Sequence, residues 1–136
     1  MKIGFLGDSI TYGYGLDNRE RDRYATLVCD ALGCEQVNLG ITGTLVARAG
    51  LSRSDGTSFL DRLPKLEGCD RAVVFGGTND FGHGDAPLGT PADRDPSTFW
   101  GACHFLMSGL LERYCGKPVA ILTPLHRQNE ANPRGD

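Results

Sequence analysis

The sequence predicts an α/β protein, a parallel sheet with helices on both faces in the three-layer α/β/α arrangement of flavodoxin-like sandwiches. Short apolar runs bounded by glycine or proline alternate with segments of helical periodicity. Such alternation folds as parallel strands joined by right-handed crossovers. No repeat or linker divides the chain, so one domain is predicted over residues 1–136. The apolar runs are residues 3–6, 37–39, 72–75 and 119–122.

The first crossover helix is predicted between the first two apolar runs. Gly33 follows the helical pattern and is suited to the position just past a helix end. The predicted buried face consists of Tyr24, Leu27, Val28, Ala31 and Leu32.

The second crossover helix is predicted between the last two runs and is the longest element. Asp95 is placed as its N-cap, with Pro96 at the first helical position and the pattern ending at Gly116. The predicted buried face consists of Phe99, Cys103, Leu106, Leu110 and Tyr114.

The region between the second and third strands has a weaker pattern. Leu45, Val46 and Ala49 suggest one or two helical turns before a polar stretch. Apolar residues within 59–63 suggest a second short helix that ends at Pro64.

The C-terminal residues 124–136 are polar and show no further apolar period. A doubly wound sheet should continue with another helix here, because helices cover both of its faces. We therefore expect either that the C-terminal part of the domain is missing or that a homo-oligomer covers the apolar surface left behind.

Charge and composition restrict the expected partners. A net charge of -3 and a pI near 5.5 provide no basic field, which disfavours nucleic acid and anionic membranes and favours a small neutral or weakly charged molecule. No apolar stretch is long enough for a signal-peptide core or a membrane span, so a cytoplasmic location is expected.

No cofactor and no metal are expected. The five cysteines include no Cys-x-x-Cys pair, which favours reduced, mostly buried thiols over a disulfide framework or a zinc site. The segment 13–15 lacks the third glycine of a dinucleotide-binding fingerprint, and no phosphate-binding Gly-x-x-x-x-Gly-Lys-Ser/Thr motif occurs.

A serine lies directly after the first predicted strand, in Gly7-Asp8-Ser9-Ile10. Ligand sites in open parallel sheets lie just beyond the carboxyl ends of the strands, so the hydroxyl of Ser9 is placed to act as a nucleophile. A serine that caps a helix is the structural alternative, and the tripeptide alone does not distinguish the two.

Two further groups follow the second and third strands at the same edge. Gly43 offers a backbone N–H without a side chain in the way, and Asn79 offers a neutral NH₂ donor. Together they are suited to stabilise the oxyanion that forms when a serine attacks an ester carbonyl. Singly, each has an alternative as a turn glycine or an Asx-turn asparagine.

These segments resemble the GDSL, or SGNH, serine hydrolases over nearly the whole chain. Residues 7–10 resemble the first conserved block of that family, Gly43 the second and residues 77–80 the third. The resemblance implies the SGNH-hydrolase fold, with Ser9 as nucleophile. It also implies an oxyanion hole from the N–H groups of Ser9 and Gly43 and the side chain of Asn79, with Gly40 as the alternative to Gly43.

The fourth block of the family, a C-terminal Asp-x-x-His, has no counterpart at the expected place. Asp80 and His83 have the spacing, but they overlap the oxyanion asparagine, so we interpret them as a coincidence. His126 follows the fourth strand without an evident acidic partner, and His104 is expected to pack or to lie at a solvent edge.

The leading hypothesis is therefore a carboxylic ester hydrolase that acts on a small-molecule ester through an acyl-enzyme at Ser9, with little turnover in this chain by itself. A noncatalytic flavodoxin-like module that holds an anion or a carbohydrate with the same strand-end donors is the alternative. The sequence does not specify the acyl chain or the alcohol.

Overall fold

The computed structural model describes residues 1–48 and 56–125. Its centre is a four-stranded parallel sheet in the order β2-β1-β3-β4. All four predicted strands are confirmed, each within two residues at either end. They are β1 (Lys2–Gly7), β2 (Glu35–Gly40), β3 (Arg71–Phe75) and β4 (Val119–Leu122).

Helices connect the strands, and two of them are long enough to cover a face of the sheet. A 3₁₀ turn over Leu63–Leu66 continues directly from one of the short helices. The helices are α1 (Ser9–Tyr12), α2 (Arg19–Asp22), α3 (Tyr24–Leu32), α4 (Phe59–Arg62), α5 (Thr78–His83) and α6 (Phe99–Arg113).

Two apolar clusters lie on opposite faces of the sheet. Ile3 and Phe5 pack with α3, whereas their neighbour Leu6 packs with α4 and α6. Alternate side chains of a strand point to opposite faces, so the buried strand residues contribute to both layers. The predicted α/β fold with a parallel sheet is confirmed.

Helix α6 has the predicted buried face but starts later than predicted. Thr98, not Asp95, is its N-cap and accepts a hydrogen bond from the Gly101 N–H at 3.1 Å. The Asp95 side chain instead accepts from the Ser97 N–H at 2.8 Å, which closes a local turn before the helix. The prediction of Pro96 as the first helical residue was therefore wrong.

Helix α3 has the predicted bounds, and Tyr24 packs against the sheet as predicted, but the rest of its predicted buried face was wrong. Ala25 and Cys29 are buried, whereas Leu27 and Leu32 are each 55% exposed. The small side chains allow the helix to approach Phe5 in the sheet closely, and the larger leucines are left on the outer side.

The predicted helical turn at Leu45 and Val46 does not form in the described residues. The Val46 N–H donates to the Asp80 carboxylate, and the Leu45 carbonyl accepts from the Phe59 N–H, so both groups bond outside any helix. Ala49 lies outside the described residues. The second short helix, α4, is confirmed, and Pro64 follows it inside the 3₁₀ turn.

Strand β4 lies at one edge of the sheet, where Ile121 and Leu122 are 43% and 39% exposed. A homo-oligomer that covers such apolar residues stays a prediction, as does the single-domain boundary. None of the helices in the two described ranges has the length and apolar character to cross a membrane.

The strand register places the candidate residues at one edge. Gly7 of β1 pairs with Gly40 of β2 and with Phe75 of β3. The chain leaves all three strands at the same level, so the segments that carry Ser9, Gly43 and Asn79 leave from adjacent points of the sheet.

Gly40 allows α1 to lie directly against the end of β2. A Cβ atom at this position would lie 2.3 Å from the Tyr12 nitrogen and 2.7 Å from the Thr11 carbonyl carbon, both backbone atoms. A side chain there would therefore push α1 away from the sheet.

We expect Gly40→Ala to lower the free energy of unfolding by about 1–3 kcal/mol, the usual cost of inserting an atom into a packed site. Gly109→Ala is the matched control, because the atoms nearest to its added Cβ belong to the side chains of Leu63, at 2.5 Å, and Arg113, at 3.6 Å, and not to the backbone. Alanine also favours the interior of α6. Urea unfolding followed by circular dichroism measures both, and equal losses would contradict the close-approach argument.

Candidate active site

Ser9 is the first residue of α1, directly beyond β1. Asp8 is the N-cap of this helix, and its carboxylate accepts a hydrogen bond from the Ile10 N–H at 2.9 Å. The alternative in which Ser9 caps the helix is therefore wrong. Asp8 is 2% exposed, and this burial raises the pKa of its carboxyl against the opposing effect of the Ile10 N–H.

The rest of α1 is fixed by polar contacts with its surroundings. The buried Thr11 hydroxyl lies 3.0 Å from the Tyr24 hydroxyl of α3. The Asn38 side chain donates to the Thr11 carbonyl and accepts from the Gly40 N–H, each at 2.9 Å. The turn that carries Ser9 is thus joined to both α3 and β2.

The two glycines considered for the oxyanion hole have different environments. The Gly40 N–H already donates to Asn38, and the Gly40 Cα lies against the backbone of α1. Gly43 has a φ of +77°, which favours glycine, and a Cβ there would meet no atom of the described residues within 4 Å. The geometry therefore favours Gly43 over Gly40 as an N–H donor to a ligand.

Asn79 lies in the first turn of α5 and reaches the loop after β2. Its side-chain nitrogen donates to the Thr44 carbonyl at 3.0 Å. The structure thus places the carboxamide beside the residue that follows Gly43. A carboxamide carries two N–H donors, so the same nitrogen has a second hydrogen for a ligand.

Asp80 fastens the same loop more firmly. Its two carboxylate oxygens accept from the Val46 N–H at 2.9 Å and from the Ala47 N–H at 3.0 Å. The side chain is 6% exposed, and burial raises the pKa of the carboxyl although these N–H groups oppose the rise. Asp80 is therefore committed to the loop, which supports the interpretation of its spacing to His83 as a coincidence.

Arg62 is a site residue that the sequence reasoning missed. The side chain is 1% exposed, and its guanidinium donates to the Gly7 carbonyl at 2.9 Å and to the Leu39 carbonyl. It also donates to the Thr44 hydroxyl at 2.8 Å. The pattern of α4 offered only one signal, an arginine close to the apolar residues Phe59, Leu60 and Leu63.

The histidines give no catalytic base in the part of the chain that the structure describes. His83 is exposed, and His104 lies 2.9 Å from the Pro91 carbonyl through its Nε2 atom. Neither of these two residues hydrogen-bonds to Ser9. His126 lies outside the described residues. Within those residues no three metal-ligating side chains cluster.

Comparison with known proteins gives one family. Residues 5–135 match the model of the GDSL-like lipase/acylhydrolase family. A comparison with curated proteins found no match.

Solved structures share the fold. A protein from Lactobacillus plantarum is 32% identical with a TM-score of 0.79, over 95% of this chain and 58% of its own. A candidate GDSL-like lipase from Bacteroides ovatus is 22% identical with a TM-score of 0.71, over 93% and 74%. A family two carbohydrate esterase from Clostridium thermocellum, solved with cellohexaose, is 22% identical with a TM-score of 0.66, over 95% and 44%. The chain thus spans less than two thirds of the Lactobacillus protein.

The raised pKa of Asp80 predicts a pH dependence of stability. A native pKa above the ordinary 3.8 means that the folded state binds more protons than the unfolded state, so this contribution to stability falls as pH rises from 3.8. The difference in free energy of unfolding between the unmodified protein and Asp80→Asn should therefore shrink as pH rises from 3.8 through the higher pKa of Asp80 in the folded protein. Urea unfolding at successive pH values measures it.

Asp93→Asn is the control with the opposite sign. Hydrogen bonds, first from the Thr90 N–H, lower the pKa of the half-buried Asp93 below 3.8. Its small contribution is present above pH 3.8 and is lost as pH falls below it. A difference for Asp80→Asn that grows with pH would mean that hydrogen bonds, and not burial, dominate at Asp80.

Proposed function

The chain belongs to the GDSL-like lipase/acylhydrolase family, and from that premise we propose that it carries the nucleophile and the oxyanion hole of a serine esterase. The Ser9 hydroxyl attacks the carbonyl carbon of a carboxylic ester. The alcohol leaves, and water then releases the acid from the acyl-enzyme.

The proposed oxyanion hole consists of the N–H groups of Ser9 and Gly43 and the side-chain NH₂ of Asn79. The observation that carries this proposal is the bond from Asn79 to the Thr44 carbonyl, in the loop that follows β2. The end of β2 is level with the end of β1, the strand before Ser9. Fixed donors of this kind stabilise developing negative charge without reorganisation during the reaction.

Removal of the proton from the Ser9 hydroxyl requires a general base, and in serine hydrolases this base is a histidine. We propose that the 136-residue chain by itself turns over slowly. When a triad member is lacking, the oxyanion hole and substrate binding alone still accelerate hydrolysis by about 10³–10⁴ fold over the reaction in water. The substrate is proposed as a small-molecule ester, and its acyl and alcohol parts stay open.

We expect a fluorophosphonate to label Ser9 in the full-length gene product, because only an activated serine reacts with this probe. Mass spectrometry should locate the adduct on the peptide that contains Ser9. Ser9→Ala should abolish labelling and lower p-nitrophenyl acetate hydrolysis on the order of 10⁴–10⁶ fold.

Ser108→Ala is the matched control for Ser9, because Ser108 is an exposed serine on α6. It should be labelled and active like the unmodified protein. Equal activity of the gene product and its Ser9→Ala form would refute the nucleophile. An unlabelled protein that binds an anion or a carbohydrate would support the noncatalytic module instead.

Asn79→Ala should lower kcat for p-nitrophenyl acetate by about 10²–10³ fold with a smaller change in KM, because an oxyanion donor acts mainly in the transition state. The matched control is Asn18→Ala, an exposed asparagine whose side chain does not cap α2. A kcat for Asn79→Ala within about twofold of the unmodified value would exclude Asn79 from the oxyanion hole.

A further inference from the structure

We infer that Arg62 is a positioning residue that holds the loop carrying Gly43 at a fixed distance from the turn carrying Ser9. This inference rests on the proposed function. Two nitrogens of one guanidinium reach three segments: the end of β1 at Gly7, the end of β2 at Leu39 and the following loop at Thr44.

The acceptors lie next to the proposed oxyanion donors in the chain. Gly7 is two residues before Ser9, and Thr44 directly follows Gly43. A shift of the guanidinium therefore moves both N–H donors relative to each other. The hydrogen bonds that Arg62 donates include none to Ser9 or to the Asn79 carboxamide, so its effect on the reaction is indirect.

The guanidinium is itself held in place from the opposite side. Its Nε–H donates to the Thr57 carbonyl at 2.8 Å, and its central carbon lies 5.0 Å from the centre of the Phe59 ring. A cation over an aromatic face is attracted by the ring, which restrains the orientation of the guanidinium.

The charge of Arg62 survives burial. Burial lowers the pKa of its guanidinium to about 10, while the negative charges of Asp8 and Asp61 oppose this change. The side chain is therefore a cation near neutral pH, and hydrogen bonds from a cation to carbonyl oxygens are stronger than neutral ones.

Lysine cannot reproduce this arrangement although it keeps the charge. Arginine presents five N–H donors in a rigid planar fork, whereas lysine has three donors on a single nitrogen. One ammonium group does not reach the Thr57, Gly7 and Thr44 acceptors together. Arg62→Lys therefore tests geometry separately from charge.

The experiment measures kcat and KM for p-nitrophenyl acetate in the full-length gene product. We expect Arg62→Lys to fold, as judged by circular dichroism, and to lose about 10- to 100-fold in kcat with KM changed less than about twofold. A displacement near 1 Å at a catalytic group has effects of this size. Arg113→Lys, an exposed arginine on α6, is the matched control and should keep the original kcat.

Thr44→Val supplies a second test that does not require Arg62→Lys to fold. It removes the hydroxyl that Arg62 contacts while nearly preserving the shape of the side chain. We expect kcat to fall about 5- to 10-fold with KM preserved. The double variant should lose no more than Arg62→Lys alone, the more impaired of the two single variants, because the effects of contacting residues are not additive.

The outcomes separate the inference from the proposed function. Equal activity of the unmodified protein and Ser9→Ala overturns the esterase and the role of Arg62 together. If the activity depends on Ser9 and folded Arg62→Lys keeps kcat within about twofold of the unmodified value, only the role of Arg62 is overturned. If Arg62→Lys does not fold, an unchanged kcat in Thr44→Val overturns that role.

Discussion

The parallel pairing of β1 with both of its neighbours determines where the candidate groups lie. Because Gly7 is level with Gly40 and Phe75, three chain segments leave the sheet at adjacent points. A register shift of one residue in β1 would turn its side chains to the opposite layers, so the two apolar clusters and the site depend on the same alignment. The lack of a side chain at Gly40 then allows α1 to pack against β2.

Charged groups, and not only apolar packing, connect these segments. The Asp80 carboxylate accepts hydrogen bonds from the backbone N–H groups of Val46 and Ala47. The Arg62 guanidinium does the converse and donates to the carbonyl of Gly7 at the end of β1. Buried ions are costly unless they are well bonded, and here each makes several hydrogen bonds. In the described part of the irregular loop after β2, Asp80 accepts from the backbone N–H groups of Val46 and Ala47, and Arg62 donates to the Thr44 hydroxyl.

The sequence was sufficient to predict what depends on local pattern. The strands were found because a buried parallel strand is a continuous apolar run between breakers, and α6 because Leu106 and Leu110 repeat at helical spacing. What failed depends on partners distant in sequence. The exposure of Leu27 follows from how closely α3 meets the sheet, and the form of residues 44–48 follows from Asp80, more than thirty residues away. Arg62 could not be assigned because an arginine in a short helix is usually solvated. The motif positions Ser9, Gly43 and Asn79 were named from their places after strands, and their roles stay proposals.

The bond from Asn79 to the Thr44 carbonyl, together with the two bonds of Asp80, makes the loop and α5 one mechanical unit. A protein engineer who transplants this site into another sheet must therefore move both segments as a single cassette. Grafting the loop that contains Gly43 without α5 would remove these three hydrogen bonds and leave the loop with only part of what fixes it, such as the contact of Thr44 with Arg62.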